Sequence, residues 1–329
     1  MIGVVEPGAR RFRFAPTPSR PLHAGSALAA VFGWAACRAV RGTFLLRIED
    51  IDRQRCRKEH EAALLDDLTW LGLDWDEPPV RQSERLALYD DALARLVARG
   101  RAYACRCSRA DIRQAQSAPH LGLDGEPAEV PYPGTCRRLG LGLGDLGADG
   151  RGGMRLDVDA LGAGAVVDWA DGLLGPRRED VRTTSGDFLL GRPGQPTYQL
   201  AVVVDDALTG VSDVVRGRDL IGSTARQILL HRDLNASPPP RFAHHPLIVD
   251  AAGGKLSKRD GALALASLRA AGVSPERLLA DLGRAIGLLS ADVRRATPRD
   301  WADAIAGLGL ADALHDGALH DGAFAVGAC

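Results

Sequence analysis

The segment RFAPTPSRPLHAGSALAA, residues 13–30, joins a short strand to a helix through a proline-rich turn. Residues 11–15 alternate between charged and apolar side chains and end at Pro16, which is typical of a strand. Residues 22–39 are small and apolar, which predicts a buried helix. The free backbone N–H groups at such a helix start attract anions, so this junction is a candidate phosphate-binding site.

Strands and helices are predicted to alternate on both sides of this junction. Apolar runs of strand length lie at residues 43–48, 199–205 and 241–249, and helical periodicity covers residues 57–71, 83–99, 223–234, 274–288 and 298–307. This order predicts an α/β fold with a doubly wound, Rossmann-like parallel sheet, in which ligands bind at the carboxyl ends of the strands.

The composition is that of an ordinary globular protein, with 46% hydrophobic and 25% charged residues. No run of 18 apolar residues exists, and the N-terminus lacks the apolar core of a signal peptide. We therefore expect a cytoplasmic protein that does not bind membranes. The net charge of −1 gives no general support for RNA binding, although it is compatible with a local basic face.

Lysine is rare in this chain, and its placement is informative. Of 41 basic residues only Lys58, Lys255 and Lys258 are lysines, and two of them share the loop KLSKR, residues 255–259. Lysine ammonium groups on a flexible, glycine-flanked loop can close over a triphosphate and stabilise the charge that develops as pyrophosphate leaves. The alternative is a solvated basic turn. His23, at the start of the first predicted helix, can donate to the same phosphates, although a histidine there is by itself more often a surface residue.

Together these two motifs resemble the signature motifs of the class I aminoacyl-tRNA synthetases. Five blocks over residues 11–265 resemble the glutamate-specific subgroup: RFAPTPSRPLHAGSALAA, FLLRIEDIDRQR, YQLAVVVDD, VVRGRDLIGSTARQ and KLSKRDGA. The resemblance implies an enzyme that adenylates glutamate with ATP and Mg²⁺. The chain departs from the family at Arg20, where glycine is usual, and at Ser26, which replaces the second histidine of the general motif.

The substrate chemistry of glutamate matches several residues in these blocks. Glu49 can pair with the ammonium group, Arg13 and Arg216 can bind the carboxylates in a bidentate manner, and Tyr198 can add a hydroxyl group. The resemblance assigns glutamate binding to Arg13, Phe14, Ala15, Pro16, Thr17, Glu49, Tyr198 and Arg216. It assigns ATP binding to His23, Gly25, Ser26 and Lys258, and catalysis to His23, Lys255 and Lys258. For Arg47 and Asp50 we favour a structural ion pair.

Three cysteines lie in a loop-rich segment, as Cys105, Cys107 and Cys136. Three thiols there suit a structural zinc ion, which usually has four ligands. His120 is a candidate fourth ligand on chemistry alone, whereas the resemblance implies Tyr132; buried cysteines without a metal are the alternative. An extra stretch at about residues 116–131 lengthens this loop relative to the family. The cysteines at positions 37, 56 and 329 are interpreted as core or incidental residues.

We predict four parts: residues 1–102 and 196–265 as the halves of the nucleotide-binding catalytic domain, 103–195 as an inserted zinc-binding, acceptor-contacting module, and 266–329 as a small C-terminal helical segment. Only about 70 residues follow Arg259. The chain therefore resembles short paralogues of glutamyl-tRNA synthetase, which activate glutamate without tRNA and transfer it to queuosine in the anticodon loop of tRNA(Asp). The implied partners are ATP, L-glutamate and queuosine-bearing tRNA(Asp), and we expect a monomer.

Three other functions compete with this interpretation. A truncated but conventional glutamyl-tRNA synthetase would charge the 3′ end of tRNA. An RNA-binding relative that retains only the fold is disfavoured because the two lysines of the KLSK sequence, Glu49 and both arginines are present. A nucleotidyltransferase for small metabolites is disfavoured by the RIED and VVRG sequences.

Overall fold

The computed structural model describes residues 9–108, 111–112, 131–146, 152–235, 238–248 and 264–309. Within these residues the chain forms eleven strands: β1 (Arg11–Phe14), β2 (Thr43–Ile48), β3 (Val80–Arg81), β4 (Ala102–Cys105), β5 (Gly153–Leu156), β6 (Val166–Asp171), β7 (Gly175–Asp180), β8 (Leu189–Arg192), β9 (Gln195–Pro196), β10 (Asp213–Gly217) and β11 (Arg241–His245).

The larger sheet has seven strands in the order β3-β2-β1-β10-β11-β6-β7. The five pairs from β3 to β6 are parallel, and β6 and β7 form an antiparallel hairpin at the edge. The strand order reverses between β1 and β10, which creates the crevice where doubly wound sheets bind ligands. The predicted α/β fold with a parallel sheet is confirmed.

A second sheet of four strands, in the order β4-β5-β8-β9, is antiparallel throughout. It lies within the segment predicted as an insertion, at residues 103–195, apart from the ends of its outer strands. Strands β6 and β7 come from the same segment but extend the larger sheet, because β6 pairs with β11. The boundaries of the four parts remain predictions.

The helices of the described residues are α1 (Ala24–Ala39), α2 (Lys58–Trp70), α3 (Leu86–Ala98), α4 (Val181–Thr184), α5 (Tyr198–Leu208), α6 (Thr224–Asp233), α7 (Leu265–Ala270), α8 (Pro275–Ala285) and α9 (Pro298–Gly307). Five predicted helices are confirmed, as α1, α2, α3, α6 and α9, and α8 lies within a sixth. Short 3₁₀ helices cover Gln82–Glu84, Arg137–Leu139, Leu143–Asp145, Asp159–Ala165 and Arg218–Ser223. No helix in these ranges is long and apolar enough to cross a bilayer.

The strand predicted at residues 199–205 is wrong, because these residues belong to helix α5. The apolar run with three consecutive valines favoured a strand, since valine is stiff at χ1 and packs well in sheets. Every residue from Leu200 to Asp206 is buried, so the helix shows no polar face. A fully buried helix and a fully buried strand have the same apolar run, and periodicity does not distinguish them.

Helix α1 is buried between the larger sheet and the C-terminal helices. Phe32 on α1 meets the indole of Trp301 on α9 edge to face, with 6.4 Å between ring centroids. The Trp301 Nε1–H donates to the carbonyl of Leu279 on α8 at 3.2 Å. Cys37 is also buried in this cluster, as predicted. The C-terminal helices therefore hold α1 against the sheet, which positions the start of α1 near the crevice.

Candidate active site

The residues predicted to bind glutamate converge at the carboxyl edge of the larger sheet. Arg13 lies near the end of β1, Glu49 directly follows β2, and Arg216 lies near the end of β10. Because these strands are parallel neighbours, their carboxyl ends meet at one edge. Tyr198, the first residue of helix α5, places its hydroxyl 3.4 Å from Nη1 of Arg216. The fold thus brings together four distant parts of the sequence.

Two of these residues belong to a buried network of charges. The guanidinium of Arg47 hydrogen-bonds both Asp206 and Glu49, with 3.2 Å to Oε1 of Glu49. Nε of Arg13 lies 3.4 Å from Oδ1 of Asp206. Burial raises the pKa of the Glu49 carboxyl, and the two arginines offset only part of this effect. The two arginines therefore compensate the Glu49 carboxylate only in part, and it can pair with a further cation.

A second carboxylate of helix α5 anchors this network to helix α3. Asp205 accepts hydrogen bonds from Arg85 at 2.7 Å, Gln82 at 2.8 Å and the hydroxyl of Tyr89 at 2.8 Å. Adjacent residues on a helix point in directions about 100° apart, so Asp205 and Asp206 have different hydrogen-bond partners, although Nε of Arg47 also lies 3.9 Å from Oδ2 of Asp205. The cluster contains four guanidinium groups, of which that of Arg85 is partly exposed, and three carboxylates that contact them directly: Arg13, Arg47, Arg85 and Arg216 against Glu49, Asp205 and Asp206. A further buried carboxylate, that of Asp171, reaches Arg216 only through the imidazole of His244.

Arg216 makes no direct ion pair, because its hydrogen-bond partners among the described residues are all uncharged. Its Nε donates to Nε2 of His244 at 3.0 Å, and its other nitrogens donate to Tyr198, Gln227 and Thr224. Among the described residues no carboxylate lies within ion-pair distance of it. Its exposure is 4%, and burial lowers the pKa of its guanidinium. A buried cation without a directly contacting counter-ion is costly, and an anionic ligand would relieve that cost.

His23 caps the N-terminus of helix α1. Its Nδ1 accepts from the backbone N–H of Ser26 at 3.2 Å, and its Nε2 lies 3.3 Å from the Ser26 hydroxyl. The imidazole is exposed and reaches over Gly25, where a Cβ atom would lie only 3.1 Å from the ring. His23, Gly25 and Ser26 therefore form one unit at the predicted anion-binding helix start. Lys255 and Lys258 lie outside the described residues.

Between Arg13 and His23, the proline-rich turn borders the same crevice. The carbonyl of Pro16 accepts from the backbone N–H of Glu49 at 3.0 Å, which joins the turn to the end of β2. Pro16 is buried, Phe14 and Ala15 are partly buried, and Thr17 is exposed. The predicted site residues of this turn therefore adjoin Glu49 through the backbone.

The three cysteines of the insertion form a compact group. The sulfur atoms of Cys105, Cys107 and Cys136 lie within 4.8 Å of one another, and those of Cys107 and Cys136 are 3.5 Å apart. Tetrahedral zinc with Zn–S bonds of about 2.3 Å holds its sulfur ligands about 3.8 Å apart, so these thiols can bind a metal such as zinc. The Tyr132 hydroxyl lies 3.3 Å from the sulfur of Cys105.

A glycine allows Tyr132 to reach this group. Gly186 has a φ angle of 61°, and a Cβ atom there would lie 2.8 Å from the carbonyl oxygen of Tyr132. The two backbones approach closely because residue 186 has no side chain. The guanidinium of Arg155 lies 3.9 Å from the centre of the tyrosine ring, on its face. The predicted alternative ligand His120 lies outside the described residues.

Comparison with known proteins agrees with this geometry. Residues 10–294 match the family described as tRNA synthetases class I (E and Q), catalytic domain. The glutamyl-Q tRNA(Asp) synthetase of Rhodobacter capsulatus is 46% identical over 288 residues, which cover 84% of this chain and 99% of that protein. The glutamyl-Q tRNA(Asp) synthetase of Symbiobacterium thermophilum is 48% identical, with 84% and 86% covered.

The chain belongs to the glutamyl-Q tRNA(Asp) synthetase family. It is therefore a ligase of the aminoacyl-tRNA synthetase type. The crystal structure of a glutamate-tRNA synthetase from Elizabethkingia anophelis superimposes with a TM-score of 0.72 at 26% identity. The match covers 89% of this chain but only 65% of that longer synthetase.

Several residues of this family member were absent from the sequence predictions. The predicted strand ended at Asp205, and neither Asp205 nor Asp206 was given a role, although two adjacent acids at the end of a long apolar run are a signal of buried charge partners. Arg47 is in an ion pair, as predicted, but Asp50 instead accepts hydrogen bonds from the backbone and hydroxyl of Ser83. No signal in the sequence pointed to His244.

Proposed function

We propose that this chain activates glutamate with ATP and transfers the glutamyl group to queuosine in the anticodon loop of tRNA(Asp). The observation that carries the glutamate assignment is Arg216, a buried guanidinium that has only uncharged hydrogen-bond partners among the described residues. At neutral pH glutamate has one ammonium and two carboxylates, hence a net charge of about −1. Arg216, which makes no direct ion pair among the described residues, can supply the counter-charge for one of these carboxylates.

Each charged group of glutamate has a partner in this arrangement. Arg216 binds one carboxylate together with the Tyr198 hydroxyl, which lies beside it. Arg13 supports the second carboxylate, and Glu49 accepts the ammonium group. Phe14, Ala15, Pro16 and Thr17 contribute the backbone wall between them. Because arginine presents two parallel N–H groups to a carboxylate, this pocket favours an acidic amino acid over glutamine or neutral side chains.

Activation proceeds by attack of a glutamate α-carboxylate oxygen on the α-phosphorus of ATP. The new carboxylate–phosphorus bond forms as the bond to the pyrophosphate oxygen breaks, which yields glutamyl-adenylate and pyrophosphate. His23, Gly25 and Ser26 at the start of α1 bind the phosphates, and Lys255 and Lys258 stabilise the charge on the leaving pyrophosphate. Mg²⁺ that accompanies ATP would neutralise phosphate charge. No protein nucleophile is needed, so positioning and electrostatics supply the catalysis.

Transfer follows when a hydroxyl group of the acceptor attacks the carbonyl carbon of the adenylate. The acceptor oxygen gains the acyl bond, its proton leaves, and AMP departs with the former anhydride oxygen. Queuosine in tRNA(Asp) is the acceptor suggested by the relatives, which are glutamyl-Q tRNA(Asp) synthetases and cover 84% of this chain. A cytoplasmic monomer is part of this proposal.

The cysteine group is proposed to hold one structural zinc ion per chain, with Cys105, Cys107, Cys136 and Tyr132 as ligands. The sulfur spacing and the adjacent phenol oxygen support this ligand set. Four protein ligands leave no open position, which is typical of structural rather than catalytic zinc.

Two measurements test the proposed function. Glutamate-dependent ATP–pyrophosphate exchange is measured first, without RNA, and exchange is expected. Labelled glutamate is then offered with three purified RNAs: tRNA(Asp) that carries queuosine, tRNA(Asp) that carries guanosine at that position, and tRNA(Glu). Label is expected only on the first. Label on tRNA(Glu), or exchange that requires tRNA, would favour the conventional synthetase, and no exchange in any mixture would contradict glutamate activation.

A further inference from the structure

Behind Arg216 lies a chain of buried side chains that the proposed chemistry does not use. Nδ1 of His244 is 2.5 Å from Oδ2 of Asp171, and Nε2 of His244 accepts from Nε of Arg216 at 3.0 Å. The side chains of Asp171 and His244 are both 0% exposed. We propose that Asp171 and His244 are positioning residues that orient the Arg216 guanidinium toward a glutamate carboxylate. This inference rests on the proposed function, because it assigns Arg216 to glutamate.

The imidazole can satisfy both neighbours in only one form. The Asp171 carboxylate accepts hydrogen bonds, so Nδ1 must carry the proton; the Arg216 guanidinium only donates, so Nε2 must carry none. Burial lowers the pKa of His244, and its hydrogen bond to Asp171 offsets this effect only in part. Burial alone would raise the pKa of Asp171, but its hydrogen bonds, mainly from His244, hold it below the usual value. The pair is therefore a neutral histidine beside an ionised aspartate.

The surrounding structure keeps this chain in place. Oδ1 of Asp171 accepts from the backbone N–H groups of Leu173 at 2.9 Å and Leu174 at 3.0 Å, so the carboxylate cannot turn away. The rings of Trp169 and Phe242 flank the imidazole, with centroids 6.0 and 6.4 Å from it. Arg216 and His244 are direct partners in the register of β10 and β11. Asp171 at the end of β6 thus fixes the orientation of Arg216 on β10 through His244 on β11.

The variant Asp171→Asn tests the orientation of the Arg216 guanidinium while leaving the packing of the side chains nearly unchanged. Asparagine keeps the size of the side chain and an oxygen for the backbone N–H groups, but its amide N–H would point at Nδ1 of His244. The imidazole must then move its proton to Nε2, which lies 3.0 Å from Nε of Arg216 and 3.3 Å from the Thr224 hydroxyl, so Arg216 loses its acceptor on His244. Loss of a comparable orienting partner around metal ligands costs about 10- to 100-fold in affinity. We expect a rise of that size in the KM for glutamate in pyrophosphate exchange, with little change in the KM for ATP.

Two further variants serve as controls. Asp213→Asn changes an equally buried carboxylate that is hydrogen-bonded to Arg10 and Arg241 at the amino edge of the same sheet. It should lower stability without changing the KM for glutamate. His244→Gln can still accept a hydrogen bond from Arg216 through its amide oxygen, so it should retain more glutamate affinity than His244→Leu.

A spectroscopic measurement tests the same arrangement without activity. In protein labelled with ¹⁵N at histidine, the wild type should show His244 protonated at Nδ1, and Asp171→Asn should show it protonated at Nε2. Wild-type protonation at Nε2, or equal changes in glutamate KM for Asp171→Asn and Asp213→Asn, would overturn the inference while leaving glutamate activation intact. A wild-type enzyme that does not activate glutamate would overturn the proposed function and this inference together.

Discussion

Arg47 and Glu49 form a buried ion pair, with Nη2 of Arg47 3.2 Å from Oε1 of Glu49. The two residues are two positions apart at the end of an extended strand, so their side chains lie on the same face. Arg47 also hydrogen-bonds Asp206, so its positive charge is shared between two carboxylates. Burial therefore remains the largest influence on Glu49 and raises the pKa of its carboxyl group. The ammonium group of the substrate would supply the additional positive charge that the buried Glu49 carboxylate lacks.

Glu49→Gln is expected to weaken glutamate activation without loss of stability. A carboxyl group whose folded pKa lies above its unfolded pKa destabilises the folded state at pH values above the folded pKa, and this cost disappears as the pH falls through it. At pH 7 the variant should therefore melt at or above the wild-type temperature. Its kcat/KM for glutamate should fall at least ~30-fold, the lower range for a lost buried charge partner. Thermal melts at several pH values and pyrophosphate exchange check this; a clearly lower melting temperature at pH 7 would contradict it.

Arg216→Lys should specifically weaken glutamate binding. Lysine keeps the charge but offers neither the bidentate geometry nor the four contacts that Arg216 makes with His244, Tyr198, Gln227 and Thr224. We expect kcat/KM for glutamate to fall about 100-fold while the KM for ATP changes little. Arg232→Lys, at an exposed position on helix α6, is the matched control. Equal kinetics in the two variants would exclude Arg216 from the glutamate pocket.

Purified protein should contain one zinc ion per chain. Cys107→Ser should lose the metal and lower the melting temperature, since structural zinc contributes directly to folding free energy. Cys56→Ser, outside the group, should retain it. Tyr132→Phe tests the fourth ligand and should weaken zinc affinity by at least ~10-fold. Elemental analysis and chelator competition measure these outcomes, and a wild-type protein without stoichiometric metal would indicate a thiol cluster without zinc.

Lys258→Ala should reduce the rate of glutamate activation by about 10²–10³, the usual effect of removing one group that stabilises transition-state charge. The KM for glutamate should remain close to the wild-type value, because this lysine acts on the phosphates. Lys58→Ala, at the exposed start of helix α2, removes the same charge elsewhere and should have no effect. A small effect of Lys258→Ala in rapid-quench measurements of adenylate formation would argue against its role.

The amino-acid sequence was sufficient for features that depend on near neighbours. The end of β1 at the proline turn and the helix that begins after His23 depend on local sequence, and the hydrogen bond from the Ser26 backbone N–H to His23 joins residues only three positions apart. The types of residue expected to bind glutamate were also evident, because the charges of glutamate call for an acid and arginines, and the family resemblance pointed to Arg13, Glu49 and Arg216. The strand that ends near Arg216, β10, was not among the predicted strands. The roles of these three residues in binding remain predictions.

Tertiary structure alone decided the partners of these residues. Arg47 and Asp206 are 159 positions apart, and Asp171 and His244 are 73 apart, so no local pattern links them. The helix at Tyr198–Leu208 was also decided by tertiary structure, because burial of every residue from Leu200 to Asp206 removed the polar face by which sequence periodicity is recognised. Charges taken out of water need counter-charges or hydrogen bonds, and only the folded chain determines which distant groups provide them.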